Sequence, residues 1–127
     1  MPLRAGLSAC ATMVVADRDT AVALRSGDVD VLANSRVVGL AEEAAVQAVQ
    51  GELAEGTTTV GFRVQLEHLA PIAVGATVRA EATLETVEGR RLTFRVTVSD
   101  AHGLVAAGRL TRVVVDRERF LEKASGA

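Results

Sequence analysis

The sequence predicts an α+β fold, one long central helix packed on a five-stranded antiparallel sheet, as a single domain over residues 1–127. Two observations carry that prediction. Only one stretch, Val31 to Gln50, is long and periodic enough for a substantial helix. After it the hydrophobic period drops from about 3.6 residues to about 2, in segments separated by short turns. Short connections make successive strands antiparallel, and one helix over one face of such a sheet is a two-layer fold.

The elements follow in order. Leu7 to Val15 reads as a strand, with Leu7, Ala9, Ala11 and Met13 alternating against Ser8, Cys10 and Thr12. Asp17 to Asp30 is polar and irregular, with turn residues Ser26, Gly27 and Asp28; it is either a mobile loop over a site or a plain connection. The helix then opens with Asn34 as N-cap and stops near Gly51. Stepping about 100° per residue places Val37, Val38, Ala41, Ala44, Ala45, Ala48 and Val49 on one arc. Glu43 falls in the middle of the polar face, whereas Glu42 falls on the edge of the buried arc. Partial desolvation there would raise a carboxylate's pKa and suit it to base or nucleophile work, unless Glu42 simply reaches out to solvent.

Beyond the helix, Thr57 to Leu69 shows Val60, Phe62, Val64 and Leu66 on one face, with Arg63, Gln65 and Glu67 on the other. In Thr77 to Val87, Val78, Ala80, Ala82 and Leu84 point inward. A turn at Glu88-Gly89 leads to a strand whose inner face is Leu92, Phe94, Val96 and Val98. Asp100 to Gly103 turns the chain into the last strand, Leu104 to Asp116, and Arg117 to Ala127 is a charged tail with room for a short helical turn. These four strands read as joined by short hairpins.

Composition narrows the function. Nearly half the residues are hydrophobic, yet Trp and Tyr are absent and only three Phe occur, so the core is built from Val, Leu and Ala. A net charge of −2 argues against nucleic-acid binding. No apolar run reaches membrane-spanning length, and MPLRAGLSAC lacks the apolar core of a signal peptide. The lone Cys10 points to a reducing cytoplasm, and one Cys with two His cannot build a thiolate–imidazole metal cage, so no metal is expected. The phosphate-cradling loop, the dinucleotide fingerprint and the G-x-S-x-G elbow are all missing.

Polar residues stand where apolar ones belong. His68 has the parity of Val64 and Leu66, and Arg112 has that of Leu110 and Val114. Alone, each has a structural explanation: a satisfied strand-end histidine, an arginine extending to solvent or pairing with a carboxylate. Together with Glu42 they supply a carboxylate, an imidazole and a guanidinium, the groups of a hydrolytic or anion-binding site. Gly61 interrupts a strand, which signals a bulge or a close backbone approach, and a bulge would change the face of everything after it. His102, in a turn, reads as a surface residue, and Ser35 as a helix-start residue rather than a nucleophile.

The segments VLANSRVVGLAEEAA, VGFRVQLEHLAPIAVGATVRAEATLETVEGRRLTFRV and GRLTRVVVDRERF resemble the hotdog-fold acyl-CoA thioesterases, in their fluoroacetyl-CoA thioesterase-like branch. The spacing adds to the likeness, with a glycine seven residues before the histidine and an acidic residue eight after the polar residue that opens the helix. The resemblance implies cytoplasmic homodimers, sometimes tetramers, joined sheet edge to sheet edge, with sites between one subunit's helix and the other's strands. It implies hydrolysis of an acyl-CoA to a carboxylate and free CoA, with no cofactor beyond the CoA of the substrate. Carried over, Glu42 is the catalytic carboxylate, acting as general base or nucleophile, and His68 orients it or protonates the departing thiolate. Gly61 brings its backbone to the acyl group, and Arg112 orients Glu42 or the substrate. Asn34 takes the helix-start position where the relative has Thr; it can hold a water or donate to the carbonyl but offers no hydroxyl. The relative's aromatic lid has no counterpart in Ser26 to Val31, so the likeness supports thioesterase chemistry more than selection of a fluorinated acyl group. Arg79, Arg90, Arg91 and Arg95 are unranked candidates for the CoA phosphates. A non-catalytic acyl-CoA-binding module on the same fold is the alternative. A hotdog hydratase fits less well, because the helix carries no His.

Overall fold

The computed structural model describes residues 3–126; Met1, Pro2 and the final residue of the tail, Ala127, lie outside the described residues. Strand β1 (Ser8–Val14) leads through a 3₁₀ turn at Asp17–Asp19 to helix α1 (Asn34–Val49). Strands β2 (Thr57–His68), β3 (Thr77–Glu88), β4 (Arg91–Asp100) and β5 (Gly103–Asp116) follow, and helix α2 (Arg117–Ala124) closes the chain. The expected fold class holds: a five-stranded, wholly antiparallel sheet around one long helix.

The strand order is β1-β3-β4-β5-β2. This corrects the expectation of four strands in consecutive hairpins. Strands β2 and β3 are not neighbours: β2 pairs with β5 at one edge, and β3 lies between β1 and β4. Periodicity assigns faces to strands but not their order, so the crossover left no mark in the pattern.

The core forms as the periodicities require. Val78, Ala80, Ala82 and Leu84 of β3, and Leu92, Phe94, Val96 and Val98 of β4, are all buried. Ala41, Ala44, Ala45 and Ala48 of α1 are buried against them. Small side chains on both layers let helix and sheet approach closely, and Phe94 supplies the bulk. Truncating it to alanine would cost about 3–5 kcal/mol. At the helix start the cap is Ala33, not Asn34, which is the first helical residue. Ala33 is fully buried and its N–H donates to the Asp19 carbonyl, so the chain is anchored one residue earlier than a side-chain cap would require.

Strand β2 departs from simple alternation. Its register with β5 shifts between Gly61 and Arg63: Gly61 opposes Arg112, Arg63 opposes Thr111, and Phe62 is the extra residue of a bulge. Paired residues share a face, so Thr59 and Gly61 look toward the helix before the bulge, and Val64, Leu66 and His68 after it. Val60 and Phe62 therefore do not share the inner face with Val64, as uninterrupted parity had suggested. Strand β2 is also an edge strand, and inward-facing Val64 is still 44% exposed.

Candidate active site

The bulge and the helix phase together build the first half of the site. Glu42 lies on the flank of α1 with its side chain about one-third exposed (34%), while Glu43 is solvated, as the helix phase requires. Opposite it, Arg112 of β5 donates from Nη1 to Glu42 Oε2 at 3.2 Å. The rest of the guanidinium is held by one residue: Nε donates to Thr59 Oγ1 at 3.0 Å and Nη2 to the Thr59 carbonyl at 2.9 Å. Burial pushes the Arg112 pKa down from its usual value, and the Glu42 carboxylate opposes that shift. Gly61 completes the cluster. A β-carbon on it would lie 2.7 Å from Glu42 Oε2. Gly61 is thus the close backbone approach and the edge of the bulge at once.

The second half lies elsewhere on the same chain. Asn34, Ser35, His68, Leu69 and Val29 line an open cleft of about 730 Å³ beneath the connection that precedes α1. His68 Nε2 is buried there with no hydrogen-bond partner among the described residues. The N-cap of α1 beside it, Ala33, makes no side-chain capping hydrogen bond. Eight residues separate Asn34 from Glu42, or about 12 Å along the helix. Gly61 and His68 are about 20 Å apart along β2. One chain therefore brings Glu42, Gly61 and Arg112 together, and separately Asn34 and His68.

Two residues that sequence reasoning passed over support these halves. Thr59 holds Arg112; its signal was the parity it shares with Gly61. Asp19, 5% exposed, accepts from the Ala16 N–H through Oδ2 (2.9 Å) and forms an ion pair with Arg36, Oδ1 lying 3.2 Å from its Nε. It fastens the segment before α1 to the first turn of the helix. That segment is more ordered than its polar composition implied, since Thr20 bridges to Leu32 and Val31 to Ala73.

A carboxylate is thus fixed by a buried guanidinium against a glycine on a bulged edge strand. The model of the fluoroacetyl-CoA-specific thioesterase family matches residues 15–118. The chain belongs to that family. The fluoroacetyl-CoA thioesterase of Streptantibioticus cattleyicolor is 36% identical over 94 residues, covering 74% of this chain and 68% of that protein. A solved variant of a fluoroacetyl-CoA thioesterase, in complex with acetyl-CoA, superposes with a TM-score of 0.91 at 31% identity, over 98% of both chains. A hot-dog-like protein from Thermanaerovibrio acidaminovorans superposes at 0.88 and 28% identity, over 98% of this chain and 92% of that one. In this fluoroacetyl-CoA-specific thioesterase family member the fold is the hotdog fold. Among the described residues no helix is long and apolar enough to cross a membrane.

Proposed function

We propose that this chain acts as an acyl-CoA thioesterase, hydrolysing the thioester to a carboxylate and free CoA, with Glu42 as general base or nucleophile. The single observation behind it is the Glu42 carboxylate, held by Arg112 on the inner face directly against Gly61. Glu42 acts on the thioester carbonyl, either through a water it deprotonates or by direct attack that expels the CoA thiolate and leaves a transient anhydride, which water then cleaves to the free acid and Glu42. Both routes need an anionic oxygen fixed beside the carbonyl carbon, and the Arg112 ion pair supports that. Gly61 leaves room for the acyl group to approach the backbone. The uncapped N-terminus of α1, with Asn34, stabilises the developing oxyanion through free N–H groups and the helix dipole. His68, whose Nε2 has no partner among the described residues, protonates the leaving thiolate.

The separation of the two halves supports a homodimer as the working unit. Strand β2 ends the sheet, with its outer row of backbone groups free to pair. The bulge gives Gly61 the sheet position that the next residue would otherwise hold. Antiparallel pairing of two β2 edges about a two-fold axis at Gln65 then sets Gly61 opposite the partner's His68. Each site would combine Glu42, Gly61 and Arg112 of one protomer with the helix start and histidine of the other. The free thiol of Cys10 supports a reducing, cytoplasmic setting.

The test is thiol release from a panel of acyl-CoAs, from acetyl to palmitoyl, by wild type, Glu42→Gln and Glu43→Gln. Glu42→Gln should abolish turnover with the fold intact, and Glu43→Gln should do little. Full activity of Glu42→Gln sinks the assignment. Acyl-CoA binding by wild type without thiol release would make the chain a binding module instead.

A further inference from the structure

Asp19 is the one buried acidic residue among those described, and the reaction proposed above does not use it. It closes the 3₁₀ turn at the foot of the loop that leads to α1. Its acceptors serve separate pieces of chain. Oδ2 accepts the Ala16 N–H just beyond β1, Oδ1 faces the Arg36 guanidinium on the first turn of α1, and the backbone carbonyl accepts the Ala33 N–H at 2.9 Å. An apolar residue would pin a loop at less cost, since a carboxylate loses its hydration on burial. What the carboxylate adds is direction, because its two oxygens are aimed at two different elements.

Thr20, buried beside it, continues the anchor. It bridges to Leu32, and the Ala21 N–H donates to the Val31 carbonyl at 2.9 Å. The other side of the same strip holds the segment that follows His68. The Leu32 N–H donates to the Ile72 carbonyl at 2.9 Å, and Val31 bridges to Ala73. Asp19 and Thr20 therefore hold the strip 31–33. That strip fixes Asn34, its next residue, and the turn that leaves β2 at His68, both of which line the cleft of about 730 Å³. At the start of α1 the Ala33, Arg36 and Val37 N–H groups donate to the Asp19 and Ala33 carbonyls. Those of Asn34 and Ser35 have no backbone acceptor among the described residues.

We propose that Asp19 is a positioning residue for thioester hydrolysis. By gripping Arg36 and Ala33 it sets the start of α1 so that the Asn34 and Ser35 N–H groups face the developing oxyanion, and through the strip 31–33 it holds His68 across the cleft from them. The inference rests on the thioesterase reading above and adds a residue that touches no substrate. Donors stabilise an oxyanion when they are aimed before the reaction begins, and a misplacement of about 1 Å costs about a hundredfold in rate.

The experiment breaks the grip without removing bulk. In Asp19→Asn one amide oxygen still accepts the Ala16 N–H, but the NH2 then faces the Arg36 guanidinium, donor against donor. For acyl-CoA hydrolysis kcat should fall about tenfold or more while KM stays within about twofold. Arg36→Met should lose as much from the solvent side, where that side chain is 45% exposed, and Arg36→Lys should recover most of it. Asp19→Asn/Arg36→Met should be no slower than either single variant, because both remove one contact. Asp17→Asn, at the exposed neighbour in the same turn, should keep the wild-type rate. An unchanged kcat in Arg36→Met, a loss carried by KM instead, or single losses that multiply in the double variant each overturn the proposal. If Asp19→Asn does not fold, Arg36→Met and Arg36→Lys decide alone. A wild type that releases no thiol from any acyl-CoA counts against the thioesterase reading. Amide exchange then decides the grip by itself: the Ala33 N–H should exchange faster in Arg36→Met than in wild type, and equal protection overturns it.

Discussion

Glu42 Oε2 fills the space that a side chain at position 61 would claim: a β-carbon on Gly61 would lie 2.7 Å from it. The atom in the way is the end of a flexible side chain, so Gly61→Ala need not disturb the backbone. The carboxylate moves instead, away from Arg112. Glycine within a strand is itself unfavourable by about 0.5–1 kcal/mol relative to alanine. Gly61→Ala should therefore keep the wild-type Tm or raise it slightly while kcat falls at least about tenfold. Undiminished kcat in a folded Gly61→Ala protein would remove Gly61 from the site.

Gly108 makes the contrasting case. A β-carbon there would collide with the Gln65 carbonyl and lie 2.8 Å from Leu66 Cα, both backbone groups of the paired strand. No side chain can swing aside. Gly108→Ala should separate β5 from β2, with a Tm loss of several degrees or failure to fold. A wild-type melting curve would show that the edge strand is looser than its register implies.

Thr59 holds Arg112 through both its hydroxyl and its carbonyl. Thr59→Val keeps the shape and the carbonyl but leaves Nε of a buried guanidinium without a partner. That should cost about 1–3 kcal/mol, read as a lower Tm, and should slow turnover as Arg112 loosens its grip on Glu42. Thr59→Ser should restore both. Loss of stability without loss of rate would make Thr59 purely structural.

Much of this arrangement was legible in the sequence where alternation runs unbroken. The inner faces of β3 and β4 and the unequal burial of Glu42 and Glu43 follow from period alone, because nothing shifts the phase before they are reached. Strand β2 was half legible. Gly61 and His68 have opposite parity, so simple alternation cannot put both on the inner face; only the extra residue Phe62 does. Gly61 signalled that break without showing which residues it would turn. The pairing of β2 with β5 was not legible, since burial patterns do not encode strand order. The use of Thr59 to hold Arg112 depends on that pairing and was hidden with it.

The placement of Asn34 and His68 away from Glu42 yields the sharpest prediction, because it separates a one-chain site from a shared one. Glu42→Gln and His68→Ala should each be nearly inactive as homodimers. If each site takes Glu42 from one protomer and the partner's His68, a mixed dimer of the two variants carries one doubly damaged site and one intact site. Random exchange makes half of the dimers mixed, so the mixture should recover about a quarter of wild-type activity. If both residues serve one site within a chain, no mixture recovers anything. The same symmetry sets Gln65 beside the partner's Gln65, at the Cα separation of about 4.5–5.5 Å typical of paired antiparallel strands. That lies within disulfide range. With Cys10 replaced by Ser, Gln65→Cys should form a covalent dimer on mild oxidation, whereas Glu67→Cys, displaced from the axis, should not. Recovery in the mixture without the cross-link would keep the shared site and move the axis; absence of both would return the dimer interface to another edge of the molecule.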